Sequence, residues 1–444
     1  MITAPICEFV RRYRYSGALR MHMPGHKGTA LLGPEPLDLT EIEGADVLYH
    51  AEGIIRESEA NAAALFGTKK TVYSAEGSSL CIRAMLYLAL LHARANHKKP
   101  VIAAGRNAHK VFMTAAALFD LDIRWIYGTE SVISCAITPA QLEDVIVSEN
   151  PAAVYITSPD YLGNIADIKS LSTVCKKHGV LLLVDNAHGA YLHFLPEPMH
   201  PMQLGADICC DSAHKTLPVL TGGAYLHIAH GTPDMFAQRA ESAMALFAST
   251  SPSYLILQSL DAMNPLLATS FPAQLKACAE RLDTLKAKLR AHGYALCGEE
   301  RTKLCLLPKS FGYTGTALAE ILTHHNIYCE FSDADHLVMM FTPETTPADF
   351  ARLERALLSV LPAPAILSKP PVPPHAERVL SPREALFSPS ETLPLSECEN
   401  RILADANVSC PPAVPLAVCG ERLTPEVISA MEYYGTEHCT VVVE

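Results

Sequence analysis

The chain has 444 residues, 49% of them hydrophobic, and a formal net charge of −12. That is enough apolar material for a core shared among two or three domains and too much for a disordered chain. The acidic balance argues against nucleic acid as a partner. The first residues, Met1-Ile-Thr-Ala-Pro-Ile-Cys-Glu8, lack the charged and apolar regions of a secretory signal. The apolar stretch Leu80 to Leu91 is too short to cross a bilayer and is interrupted by Arg83, so no membrane partner is expected. Fourteen scattered cysteines, two of them the neighbours Cys209 and Cys210, fit reduced thiols and a cytoplasmic location. No Cys-x-x-Cys pair or His-Glu-x-x-His helix is present, and no metal is expected.

In chain order, residues 1–60 read as an irregular arm rich in Gly, Pro and His. From Ala62 to about Ile228, strands alternate with helices: Val101–Ala104, Ala153–Thr157, Val180–Asp185, Asp207–Cys210 and Gly223–Ile228 against Ala108–Leu118, Pro139–Ser148 and Ile168–His178. This is the pattern of an α/β fold with a mainly parallel sheet and helices on both faces. Ser253 to about Ala291 reads as long helices, and Gly293–Leu361 as a smaller α/β region, with strands at Ile327–Asp333 and Leu337–Phe341. The prolines of 362–374 mark a linker before a compact tail. The expected division is an arm (1–60), a large domain (61–265), a small α/β domain (266–365), a linker (366–378) and a C-terminal α+β domain (379–444).

Three short segments carry chemistry. The apolar run Val180-Leu-Leu-Leu-Val184 ends on Asp185-Asn-Ala-His-Gly189, which reads as a buried parallel strand delivering a carboxylate at its C-terminal edge. That edge is where ligands bind in doubly wound sheets. Thirty residues on, Lys215 stands in Cys209-Cys-Asp-Ser-Ala-His-Lys-Thr-Leu-Pro218. Upstream, Glu76-Gly-Ser-Ser79 runs into an apolar helix from Leu80 to His92, whose N-terminus offers N–H groups and hydroxyls to a phosphate. Each feature alone has a plainer reading: an exposed lysine, or serines that only cap a helix. Together they suit pyridoxal 5′-phosphate, with the lysine as Schiff-base partner and the acid keeping the pyridine nitrogen protonated.

With these residues in place, the chain resembles the ornithine/lysine/arginine decarboxylases, pyridoxal phosphate enzymes of fold type I, in their shorter form. Met21-His-Met-Pro-Gly-His-Lys-Gly28 is similar to that group's signature. Asp38-Leu-Thr-Glu41, Gly44-Ala-Asp46, Glu59 to Gly67, Arg106-Asn-Ala-His-Lys110, Thr250 to Asp261 and Ser381-Pro-Arg-Glu-Ala385 follow in the family's order, with Pro411-Pro412 and Gly420-Glu421 near the end. The resemblance implies that Lys215 forms the internal Schiff base and moves protons. It implies that Asp185 pairs with the ring nitrogen, that Ala187 packs under the ring and that His109 stacks on the other face. Ser78, Ser79 and Leu80, with Ser212 and His214, would hold the phosphate, and His188 would lie near the ring hydroxyl. The implied reaction is loss of the α-carboxylate of arginine, lysine or ornithine, in a homodimer whose active site lies at the subunit interface. The segment Thr250-Ser-Pro-Ser-Tyr254 is a candidate contributor to the neighbour's site.

Departures bear on the pocket and the assembly. The chain opens close to the Pro-Gly-His-Lys signature, so the N-terminal wing of the large inducible relatives and a decamer are not expected, while stacking of dimers stays open. Gly222 stands where relatives often carry glutamine, and Ala413 and Cys419 depart from the tail motif. An aminotransferase or carbon–carbon lyase on the same fold, or a non-catalytic homologue that binds the cofactor, are the competing readings. The bond that breaks is the one held perpendicular to the ring, which residue spacing does not reveal.

Overall fold

The structure, a computed structural model, describes residues 2–128, 134–406 and 414–443. The chain divides into two compact units: residues 1–97 with 168–275, and 98–167 with 276–444. Seven strands come first in chain order: β1 (Lys70–Ser74), β2 (Val101–Gly105), β3 (Asp122–Ile126), β4 (Ala153–Thr157), β5 (Leu181–Asp185), β6 (Ile208–Asp211) and β7 (Ala224–Ile228).

In the first unit the strand order is β1-β7-β6-β5. β5 and β6 run parallel, with Asp185 opposite Cys210, whereas β7 is antiparallel to both of its neighbours. All five residues of β5 and all four of β6 are buried, as unbroken apolar runs in parallel strands require. The helix Gly77–Ala95 buries ten residues, among them Leu80, Ile82, Met85, Leu86 and Leu88.

In the second unit β4, β2 and β3 run parallel in that order. The helix Pro139–Glu149 starts on a capping box in which Thr138 accepts from Gln141 N and the Gln141 side chain accepts from Thr138 N. Four further strands, β8 (Ala295–Cys297), β9 (Lys303–Leu307), β10 (Phe331–Ser332) and β11 (Leu337–Met340), form an antiparallel sheet in the order β10-β11-β9-β8. Its core gathers Leu282, Leu289, Leu304, Leu318, Leu337 and Leu357. The tail pairs β12 (Ser390–Pro394) with β13 (His438–Val442) and closes over Leu395, Leu423, Val427 and Val441.

Most expected elements lie within one or two residues of those found; β1, β3, β8, β9, β12 and β13 are additions, and the arm expected to be irregular carries a helix at Pro5–Arg14 and the start of another at Ile54–Phe66. The strand expected over Ile327–Asp333 shrinks to Phe331–Ser332, which lie opposite Val338 and Leu337 of β11. Pro411, Pro412 and Ala413 of the tail motif lie outside the described residues. No helix among the described residues is long and apolar enough to cross a membrane.

Candidate active site

The first unit brings most of the chemistry-bearing residues to the C-terminal ends of β5 and β6. β5 ends on Asp185, which is 2% exposed; its Oδ1 accepts from Ala187 N at 3.2 Å and from the Cys210 thiol at 3.6 Å. The chain turns back through Asn186-Ala-His-Gly189, closed by a hydrogen bond from Gly189 N to Asn186 O at 2.8 Å. This turn presents His188, whose Nε2 lies 3.0 Å from Lys215 Nζ. Lys215 sits on the one-turn helix Ala213–Thr216 just after β6, half-buried beside the buried imidazole.

A second cluster forms around the start of the helix Gly77–Ala95. Ser212 Oγ donates to Ser78 Oγ at 2.8 Å, which joins the strand-end loop to the first turn of that helix. Gly77 N donates to Gly222 O at 2.6 Å. The next two N–H groups, of Ser78 and Ser79, belong to a first turn that no intrahelical carbonyl reaches, and Leu80 follows them. Gly222 has φ +100°, and a Cβ there would lie 2.8 Å from Ala75 O. Gly222 is thus a residue whose backbone favours glycine and whose carbonyl anchors the helix start. His214 is fixed at both ends of its residue: its backbone N and its Nδ1 both meet Gly223 O, at 3.1 and 3.0 Å.

Asp185, Ala187, His188, Ser78, Ser79, Leu80, Ser212, His214 and Lys215 therefore belong to one unit, where direct contacts join Lys215 to His188 and Ser212 to Ser78. His109 belongs to the other. It is the N-cap of the helix Lys110–Phe119, its Nδ1 accepts from Val111 N at 3.2 Å, and its side chain is exposed. Tyr254 is buried, and its hydroxyl donates to the carbonyls of Ala45 and Asp46 in its own chain, at 3.1 and 2.6 Å. Thr250 and Ser251 just before it are exposed. In the His-Met-Pro-Gly-His-Lys loop, His26 Nε2 lies 3.3 Å from Asp38 and Lys27 Nζ donates to His22 O.

The set fits pyridoxal phosphate. A half-buried amine, a carboxylate desolvated at a strand end and a helix N-terminus lined with paired serines are the three partners that an aldehyde, a pyridine nitrogen and a phosphate require. Two of the buried polar groups that residue spacing does not reveal bear on the two units. Asp211 ends β6 and meets His200, His227 and Asn186. In the second unit, Arg106 pairs with Glu421, 315 positions away.

The Orn/Lys/Arg decarboxylase major-domain family model matches residues 4–296. An arginine decarboxylase of Bacillus subtilis (strain 168) is 31% identical over 96% of this chain and 92% of its own length. An arginine decarboxylase of Halalkalibacterium halodurans is 28% identical over 95% and 91%. Among solved structures, the lysine decarboxylase LdcF of Francisella novicida superposes with a TM-score of 0.80, at 16% identity, over 100% of this chain and 81% of that one. At that identity the likeness speaks for the fold, and the fold is the expected one: α/β, of fold type I, with mainly parallel strands.

Proposed function

The chain belongs to the Orn/Lys/Arg decarboxylase family, and from that premise we propose that it removes the α-carboxylate of a basic amino acid, with pyridoxal phosphate held on Lys215. Arginine is the substrate we put first, since the two relatives described above are named arginine decarboxylases. The observation that carries the reading is the pairing of Lys215 Nζ with His188 Nε2 at 3.0 Å, on the turn that follows the buried Asp185.

When bound, pyridoxal phosphate supplies an electron sink for the pair left behind as a bond to the α-carbon breaks. The protein's own groups do the rest. Lys215 offers the amine that holds the cofactor and that is released when substrate amine takes its place. His188, within hydrogen-bond reach, orients Nζ and can exchange a proton with it. Asp185, buried at the strand end, would pair with the ring nitrogen and favour its protonated form, an attraction that burial strengthens. The N–H groups of Ser78 and Ser79, with Leu80 next to them, the Ser78–Ser212 hydroxyl pair and His214 would receive the phosphate. Ala187 is small enough to pack under a flat ring; the family's pattern alone would give the other face to His109.

The product is an amine of the polyamine-precursor class: agmatine, cadaverine or putrescine. We also propose a cytoplasmic homodimer with the active site at the subunit interface, to which the exposed Thr250 and Ser251 are candidate contributors. The five-part domain division read from the sequence is proposed with it. The test is to incubate the purified protein and cofactor with arginine, lysine or ornithine and read the products by mass spectrometry. The corresponding amine and CO₂ support the proposal. Keto acid without amine would point to transamination, and no conversion of any of the three would overturn it.

A further inference from the structure

A hydrogen-bonded chain of buried side chains crosses the four strands of the first unit. Thr68 Oγ1 meets Thr71 Oγ1 at 2.8 Å, and Thr71, on β1, meets His227 Nδ1 on β7 at 2.8 Å. His227 Nε2 lies 3.2 Å from Asp211 Oδ2 on β6, and His200 Nε2 reaches the same oxygen at 2.9 Å. Asp211 Oδ1 accepts from Asn186 Nδ2, just beyond β5, at 2.7 Å. Asp211, Asn186, His200 and His227 are all fully buried.

The protonation pattern follows from the partners. His200 Nδ1 accepts from Met202 N, so its proton sits on Nε2 and is donated to Asp211. Burial acts to raise the Asp211 pKa, but His200 and His227 outweigh it and hold the carboxyl well below the usual range. Asp211 is thus a buried anion, fixed by His200, His227, the Cys209 thiol and Asn186.

Its position gives the network a role. In the parallel register Asp185 lies opposite Cys210, so Asn186 and Asp211 are the next rung, one residue past the last ladder pair. Asn186 N also donates to Cys210 O at 2.9 Å, and Asn186 O accepts from Gly189 N. A Cβ on Gly189 would overlap Asn186 Oδ1, so the glycine leaves the amide its room. On β5 the residue before this rung is Asp185, and two residues after it comes His188. On β6 the residue after the rung is Ser212, with Lys215 three further on.

We propose that the Asn186–Asp211 pair positions the active site, tying the turn that carries Asp185 and His188 to the loop that carries Ser212 and Lys215. The inference rests on the assignment of those four residues to the cofactor. Neither member of the pair touches the reacting atoms; both act through their neighbours. Sub-ångström drift between the two loops would misplace the ring acid relative to the lysine, and a displacement of about 1 Å can cost about 10²-fold in rate.

Asn186→Ala is the variant to make, because it removes only the tie and leaves Asp211 with both histidines. The measurements are the visible circular dichroism of bound cofactor, the cofactor Kd and the thermal melt. The exchanged pair, Asn186→Asp with Asp211→Asn, keeps a donor facing an acceptor and keeps an oxygen for the two histidines. Asn186→Ala is expected to weaken cofactor binding and lower kcat by about tenfold or more, with an altered visible dichroism that the exchanged pair restores. Parental dichroism and Kd in Asn186→Ala, with only the melting temperature lowered, would overturn the proposal, since the pair would then serve stability alone. Borohydride reduction of the parent tests the underlying assignment separately. No adduct on Lys215 would overturn both, whereas an adduct with undisturbed variants would overturn the positioning role only.

Discussion

Replacing Glu421 by Gln removes one half of a buried ion pair that sits beside the chain's single tryptophan. Arg106 is 4% exposed and Glu421 1%. The guanidinium gives Glu421 two parallel hydrogen bonds, at 2.8 and 2.7 Å, and donates from Nε to Pro415 O at 3.3 Å. It also lies 4.9 Å from the centre of the Trp125 ring and 5.7 Å from that of Tyr127. Gln keeps the shape and one acceptor oxygen but strands a buried cation. Breaking a buried pair by removing one partner costs about 3–5 kcal/mol. The remaining oxygen and the two ring faces, each worth about 0.5–1 kcal/mol, put Glu421→Gln near the low end, about 3 kcal/mol. With an m-value of about 3 kcal/mol per molar urea, the unfolding midpoint of this unit should fall by roughly 1 M. Trp125 fluorescence is the assay, because it reports from the perturbed site. Arg106→Met combined with Glu421→Met strands no charge and should recover more than half of the loss. An unchanged midpoint and emission in Glu421→Gln would refute the view that this pair pins the tail to the Arg106–Lys110 segment.

Three more expectations can be checked with single variants. Asp185→Asn keeps the shape but loses the charge, and turnover should drop by at least about 10²-fold with little change in fold or cofactor content; parental turnover would remove Asp185 from the ring-nitrogen role. Burial lifts the Glu59 carboxyl from 4.5 to about 8, against the hydrogen bond from Tyr73 N, so the folded chain holds that proton more tightly than the unfolded chain does. Stability from this group is full below pH 4.5 and is lost as pH rises through 8, and Glu59→Gln should flatten that fall in melts from pH 5 to 9; identical pH profiles would refute it. Gly222→Ala forces a side chain at φ +100° against Ala75 O, which should cost about 1–3 kcal/mol and weaken cofactor retention. A Kd equal to the parent's would show that the Gly77–Gly222 hydrogen bond does not shape the phosphate site.

What the sequence revealed depended on contiguity. β5 was legible because five apolar residues end on an acid. The helix Gly77–Ala95 is legible because Gly77, Ser78 and Ser79 precede an apolar run free of breakers. β1 was not: Lys-Thr-Val-Tyr-Ser mixes charge with apolar residues, and its strand character comes from pairing with β7, some 150 positions away. β3 alternates polar and apolar residues over only five positions, with Arg124 held by Asp122 and Glu149, both distant from any motif. Asp211 lies inside the lysine motif yet went unread, since its meaning depends on His200, His227 and Asn186 converging on it through three different elements. Arg106 and Glu421 were each noticed as motif letters, but nothing in spacing reveals that residues 315 apart share a buried ion pair.

The most direct test of the account is to load the protein with pyridoxal phosphate, reduce it with borohydride and map the labelled peptide. The account predicts a single adduct on Lys215, a visible absorbance lost on reduction, and no adduct or turnover in Lys215→Ala. An adduct on another lysine, or undiminished amine formation by Lys215→Ala, would contradict it.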